Sequence, residues 1–341
     1  MSKLPNQPNQ PEDGPGFAPA RSSFFGRLAV VALLLIGLAK PAAQPVDGDA
    51  IPARLAKRSL LLDIHGRGER ALAVGERGHI LLSTDSGKNW RQTIAPTRRT
   101  LTGVFLIDDQ VAWAIGHQSV ILKSGDGGET WAKANAESDP ETAYLDILFL
   151  DAMTGFIVGS YGKFLSTSDG GERWVETKQD DDPHLSHIIP APGGGLWLTG
   201  EFGTVRRSGD RVRRWEPLAT PYEGTFFGAL PLAKGGAVVF GLRGNIFRST
   251  GGEWQKIKSS TKALLHGGLA LADGRFVISA AAGQLLVSAD EGRSFRLATM
   301  PGAESATATS LWQAADGGVL LTSDKGVHRL ELTDLKTEGA K

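Results

Sequence analysis

From about residue 60 to 332, short apolar runs alternate with breaks rich in Gly and Asp, the pattern of β-strands joined by tight turns. One full unit begins at Leu101. Leu101-Thr102-Gly103-Val104-Phe105-Leu106-Ile107 reads as a strand, and Asp108-Asp109-Gln110 turns the chain. Val111-Ala112-Trp113-Ala114-Ile115-Gly116 follows, and His117-Gln118 makes a second turn. Ser119-Val120-Ile121-Leu122-Lys123-Ser124 then leads into a glycine-rich turn, and Trp131 opens an outer strand. The same order recurs around Ile64 and Val74, Leu148 and Ile157, Ile188 and Leu198, Ala229 and Val239, and Leu269 and Val277.

Each of these six units carries a glycine-rich turn followed by an aromatic residue. Four copies fit Ser/Thr-x-Asp-x-Gly-x-x-aromatic, the Asp box: Asp85 with Trp90, Asp126 with Trp131, Asp169 with Trp174, and Asp290 with Phe295. The copy ending at Trp215 has Val212 where Gly belongs, and the copy ending at Trp254 is shortened and lacks the Asp. Successive aromatics stand 41, 43, 41, 39 and 41 residues apart. A period near forty with strand-like sequence between the marks is that of a β-propeller blade. In such a turn Asp accepts backbone N–H groups just ahead of it, and Gly supplies a positive φ. The aromatic then buries its area between neighbouring sheets. These Asp residues are therefore read as scaffold, with no catalytic residue among them.

A seventh copy begins at Thr307 and ends near Leu330, before any Asp box or fourth strand. An unfinished blade leaves an exposed edge, which proteins avoid. Residues 50–60, just upstream of the first inner strand, are expected to supply the missing strand. The fold expected is all-β: a seven-bladed propeller over 60–332, with a linker and ring-closing strand over 44–59 and a flexible tail over 333–341.

The segment before the repeat sets the compartment. Residues 1–20 are polar and rich in Pro, Asn and Gln, the composition of a disordered tail. Within 21–43, Arg21 and Arg27 precede the apolar run from Leu28 to Ala39. That run is shorter than the roughly 20 residues of a spanning helix. Two readings stay open: a signal peptide cleaved near Gly37-Leu38-Ala39, or a retained anchor with Arg27 snorkelling to the headgroups. Both place the basic flank inside and the propeller outside the cytoplasm. The expected location is periplasmic, with inner-membrane anchoring if the segment is kept.

Composition removes several function classes. The 37 basic and 37 acidic residues cancel, so bulk charge gives no support for nucleic-acid binding. The absence of Cys excludes disulfides, thiolate catalysis and Cys-bound zinc. His184 and His187 lie three apart in a connection rich in Pro and Asp, and read as an accidental loop pair rather than metal ligands. Neither a nucleotide-binding glycine loop nor a G-x-S-x-G elbow is present. No cofactor and no metal are expected. Asp boxes also occur in sialidases, so a sialidase-like glycoside hydrolase or carbohydrate-binding propeller is the competing reading. Such an enzyme needs Arg residues for a carboxylate, a Tyr supported by Glu, and an acid. Only Tyr144, Tyr161 and Tyr222 are available, and no Phe-Arg-Ile-Pro precedes the first blade.

The combination of Gly-x-x-Gly, a short strand and the Asp box is seen from Gly75-Glu76-Arg77-Gly78 to Trp90 and from Gly159-Ser160-Tyr161-Gly162 to Trp174. Gly200-Glu201-Phe202-Gly203 and Gly241-Leu242-Arg243-Gly244 carry part of it. Over roughly residues 55–332 this resembles the photosystem II assembly and stability factor family. The resemblance implies a seven-bladed, non-enzymatic, lumenal or periplasmic scaffold that holds an assembling membrane protein. Cyanobacterial members look like lipoproteins with an N-terminal Cys, which this chain lacks. The family also extends to bacteria without photosystems, beside large export pumps. The implied partner is therefore a membrane-protein complex, photosystem-like or a transporter.

In a four-stranded blade, the turn between the second and third strands shares a face with the link to the next blade. That rule gathers Glu76, Arg77, His117, Gln118, Tyr161, Glu201, Phe202 and Arg243 around one mouth. Link residues Arg98, Arg99, Tyr144, Asp181, His184, Tyr222 and Phe226 join them. Arg77, Arg98, Arg99, Tyr161, Phe202 and Arg243 are the candidate partner-binding residues, since Arg and aromatic side chains on turns make binding hot spots. A second basic group, Arg206, Arg207, Arg211, Arg213 and Arg214, straddles the degraded fourth box. It reads either as a site for anionic lipid or an acidic loop, or as a solvated edge.

Overall fold

Strands form where the apolar runs place them. A computed structural model describes residues 47–134, 139–178, 181–209 and 215–335; the polar tail, the export segment, Arg211, Arg213 and Arg214 lie outside these. In blade 1 the inner strand Leu61–Arg67 pairs antiparallel with Arg70–Gly75, which is followed by His79–Ser83 and the outer strand Arg91–Ile94. Four-stranded meanders of this kind span 61–94, 101–133, 144–176, 185–217, 226–257 and 265–299, and a three-stranded one spans 308–330. The chain is a seven-bladed β-propeller.

Second strands such as Ala112–Gly116 and Phe276–Ala280 are buried along their whole length because blades cover both faces. They read as continuous apolar runs for that reason. Seven apolar clusters occupy the seven junctions between neighbouring blades. The core is thus divided among the junctions. Leu72, Val74, Ile80 and Leu82 of blade 1, for instance, meet Val104, Ala114, Leu122 and Trp131 of blade 2.

The Ser/Thr-x-Asp turns hold the outer half of each blade. Asp85 Oδ1 accepts from Asn89 N at 2.8 Å and from Ser83 Oγ at 2.8 Å, while Ser83 Oγ accepts from Gly87 N at 2.9 Å. The Asn89 backbone N–H, then its amide, hold Asp85 at about 2. The Thr130 hydroxyl, then its N–H, do the same for Asp126. Asp169 and Asp290 accept the equivalent N–H groups of Arg173 and Ser294. Trp90, Trp131, Trp174 and Phe295 each fill the junction with the preceding blade. Trp131 Nε1 donates to Gly128 O at 3.1 Å and Thr93 Oγ1 at 3.2 Å.

The ring closes without a borrowed strand. Among the described residues, 50–60 contain only the 3-10 turn Ala56–Arg58, and the sheet of blade 7 keeps three strands. Pro52 offers no N–H, and Ala-Arg-Leu-Ala-Lys-Arg is a run of helix formers rather than an alternating β pattern. Closure comes from the same packing as at every junction: Ala314 and Leu320 of blade 7 meet Leu61, Ala71 and Leu81 of blade 1. Thr309 Oγ1 donates to Leu61 O at 2.8 Å, and Arg329 Nη1 to Ser86 O at 2.6 Å. Residues 47–60 act as a strap across that junction. Ala50 N donates to Ala95 O and Ala53 N to Gln92 Oε1, both at 2.8 Å. At Gly326 of blade 7 the strap lies so close that a Cβ would stand 2.0 Å from Lys57 O. The C-terminal stretch also departs from expectation at its start, since Leu335 is buried in the junction between blades 6 and 7.

Candidate partner-binding face

Between second and third strands the chain reverses within two residues. The first stands in the left-handed region at Arg77 (φ 57°), Gln118 (56°), Tyr161 (54°), Phe202 (55°), Arg243 (57°) and Ala282 (60°). The residue after each, Gly in five turns and Ser119 in the other, also has positive φ. Two positive φ values in succession define a type I′ turn, which favours Asn, Asp or Gly. A bulky side chain there costs about 1–2 kcal/mol. The second position takes Gly because the turn presses on the link between blades; a Cβ on Gly203 would stand 1.9 Å from Tyr222 O.

The side chains at these tips stand away from the blades. The side chain of Arg77 is 80 % exposed, Phe202 is 71 % and Tyr161 59 % exposed, and Arg243 is exposed. Tyr161 meets the edge of His184 with ring centroids 4.9 Å apart. His184 N donates to Glu201 Oε2 at 3.1 Å, which ties adjacent tips into one surface.

Arg98 and Arg99 are engaged with the strap. Arg98 Nε donates to Asp49 O at 2.9 Å; Arg99 Nη1 donates to Gln118 O at 3.2 Å, and its Nη2 lies 3.5 Å from Asp47 Oδ2. Thr97 and Lys133 also bond Asp47, so the strap is anchored on this face. Tyr144 and Phe226 do not reach the mouth: each is the first residue of an inner strand and is buried between blades. Burial pushes the Tyr144 hydroxyl up to about 12. Tyr222 is half-buried and donates to Leu242 O at 3.3 Å. Of the second basic group, Arg206 pairs with Asp181, and Arg207 with Glu216 at 3.0 Å.

The inner strands carry a buried polar network that the repeat pattern did not single out. Each inner strand has a bulge between its first and third residues or one place further on, which re-aims the residues that follow. At the third residue stand Asp63, Asp146, His187 and Ser310. Asp63 accepts from Val104 N at 2.8 Å and Ser310 Oγ at 2.7 Å, linking blades 7, 1 and 2. Burial, with the charge of Asp146, raises its carboxyl to about 6. Asp146 accepts from Ile188 N at 2.9 Å and lies 2.5 Å from His187 Nδ1. Burial opposes charge on His187, and the Asp146 carboxylate overcomes it, so the imidazole pKa is raised. His187 is therefore an inner-strand residue with its own partner, not one half of a loop pair with His184. The available signal was the polar residue in Leu-Leu-Asp, Tyr-Leu-Asp and Leu-Ser-His at one place in the repeat.

Among the described residues, no group of three or more His, Asp or Glu is arranged to hold a metal ion, and no helix is long and apolar enough to cross a membrane. No protein-family model and no curated protein matches the sequence. Solved structures share the fold. A structure of YCF48 bound to a D1 peptide is 16 % identical with a TM-score of 0.66, covering 86 % of this chain and 98 % of that one. YCF48 from Cyanidioschyzon merolae is 17 % identical with a TM-score of 0.65, covering 82 % and 98 %. A streptogramin B lyase is 15 % identical with a TM-score of 0.70, covering 83 % and 96 %. At these identities the likeness is one of fold.

Proposed function

We propose that this propeller is a non-catalytic scaffold whose turn-tip face holds an extracytoplasmic segment of a membrane-protein complex, photosystem-like or a transporter. The observation that carries the reading is the backbone cost at the tips. Type I′ geometry asks for Asn or Gly, yet four tips carry Arg77, Tyr161, Phe202 and Arg243, the residue types that dominate interfaces. The fold shared with YCF48, one structure of which holds a D1 peptide, supports the reading. The carbohydrate-active alternative needs a Tyr backed by Glu, whereas Tyr144 is buried, Tyr222 bonds a backbone carbonyl and Tyr161 packs on His184. Export through residues 21–43 places the propeller outside the cytoplasm; a reporter that works only there, fused after Lys341, is active if this holds and silent if it does not.

The test replaces Arg77, Tyr161, Phe202 and Arg243 together with Asn. The variant is expected to melt no lower than wild type, because Asn suits the left-handed region. It is expected to recover far less of the membrane complex that wild type captures from solubilised membranes. Equal capture of the same complex by both proteins refutes the assignment of this face.

A further inference from the structure

The opposite face carries a second candidate site. There the Ser/Thr-x-Asp turns are tied to the turns between first and second strands: Ser86 N donates to Glu69 O at 2.8 Å, and Gly170 N to Met153 O at 2.9 Å. Between the first-to-second turns of blades 1, 2 and 3 lies an open cleft of about 590 Å³. That volume is within the range of small-molecule pockets.

Aromatic side chains line the middle of its wall, with Arg67, Asp108 and Asp151 on the turns around them. The His65 ring lies between Phe105, with centroids 4.1 Å apart, and Trp312, at 4.4 Å; Phe149 continues the row 5.9 Å beyond Phe105. His65 Nδ1 accepts from Leu106 N at 3.1 Å, which fixes the neutral tautomer with hydrogen on Nε2. Burial keeps this imidazole uncharged down to about pH 3.

The charges around the wall favour a cation. Asp108 stands at the rim, its Oδ1 capping the turn by accepting from Gln110 N and Val111 N. Asp151 lies on the third turn. Against these stands Arg67, whose Nη1 donates to Ile107 O at 2.7 Å. Aromatic faces attract cations through their quadrupole, most strongly where water is partly excluded.

We infer that this cleft binds a small organic cation, with the charged head against the row that Trp312, His65 and Phe105 form and the rest of the molecule between the three turns. The site is independent of the turn-tip face. Calorimetric titration of the propeller with choline is compared with 3,3-dimethylbutan-1-ol, its uncharged isostere, while Trp fluorescence is followed. Choline is expected to saturate the protein and the alcohol to bind at least about tenfold more weakly, the scale of a partly desolvated cation–π contact. Asp108→Asn keeps the turn-capping oxygen and removes the charge, and is expected to weaken choline about threefold. Trp312→Leu is expected to weaken it further. Phe202→Asn, on the opposite face, leaves binding unchanged. Equal binding of the two isosteres, no saturation below roughly 10 mM, no effect of Asp108→Asn, or an effect of Phe202→Asn overturns the inference.

Discussion

Asp63 joins three blades, so its protonation is expected to be visible in the stability of the ring. Its carboxyl stands near 6 in the folded protein against 3.8 in an open chain, chiefly because burial disfavours the charge. A raised carboxyl pKa means that the folded state holds the proton more tightly. The stabilising contribution is full below pH 3.8 and is lost as pH rises through 6, amounting to roughly 3 kcal/mol in all. Asp63→Asn retains an oxygen for Val104 N–H and turns an amide toward Ser310, whose hydroxyl then accepts instead of donating. The clamp stays and the titration goes. Urea unfolding of both proteins from pH 4 to 8 provides the measurement. Wild type is expected to lose roughly 2.5 kcal/mol relative to the variant across that span, part of the contribution being gone already at pH 4. His187, with its raised pKa, also contributes stability that is lost as pH rises through its folded value. His65 and His266, held near 3 and 4 by burial, act oppositely, because the unfolded imidazoles take up protons first as pH falls. These groups are common to both proteins, so the difference curve reports mainly on Asp63. A flat difference between pH 4 and 7 refutes the reasoning.

Trp131→Ala removes a side chain that is 9 % exposed and leaves Gly128 O and Thr93 Oγ1 without its N–H; a loss of about 3–5 kcal/mol in chemical unfolding is expected. Gly171→Ala combines φ +83° with a Cβ 2.3 Å from the buried Trp113 ring, whereas Gly193→Ala has φ +85° and open space. The first is expected to cost about 2–4 kcal/mol and the second about 1, and equal losses by thermal melting argue against the packing account. Removing residues 47–58 deletes the strap's bonds to Ala95 and Gln92 and uncovers Gly326. With the bonds of Asp47 to Thr97 and of Asp49 to Arg98 also lost, it is expected to cost about 4–5 kcal/mol, at roughly 1 kcal/mol per bond plus the buried Ala50 and Ala56, without opening the ring; an unchanged melting temperature shows that the strap does not support closure.

The blades, their number, the turn bonds accepted by Asp85, Asp126, Asp169 and Asp290, and the placing of Arg77, Tyr161, Phe202 and Arg243 on turns between second and third strands follow from sequence alone. Each depends on local chemistry repeated at a fixed period: a turn needs its own Asp and Gly, a second strand between two blades must be apolar throughout, and a turn's face follows from strand order. The burial of Tyr144 and Phe226, the engagement of Arg98 and Arg99 with the strap, and closure without a fourth strand were decided by tertiary structure. Each depends on what a neighbouring blade, or a segment some fifty residues away, brings to the same place. Asp63, His65 and Trp312 make the same point. In sequence, Trp312 stands 247 residues from His65, and only the closed ring sets their rings 4.4 Å apart. Periodicity specifies what each blade presents to a generic neighbour; ring closure decides which particular neighbour that is.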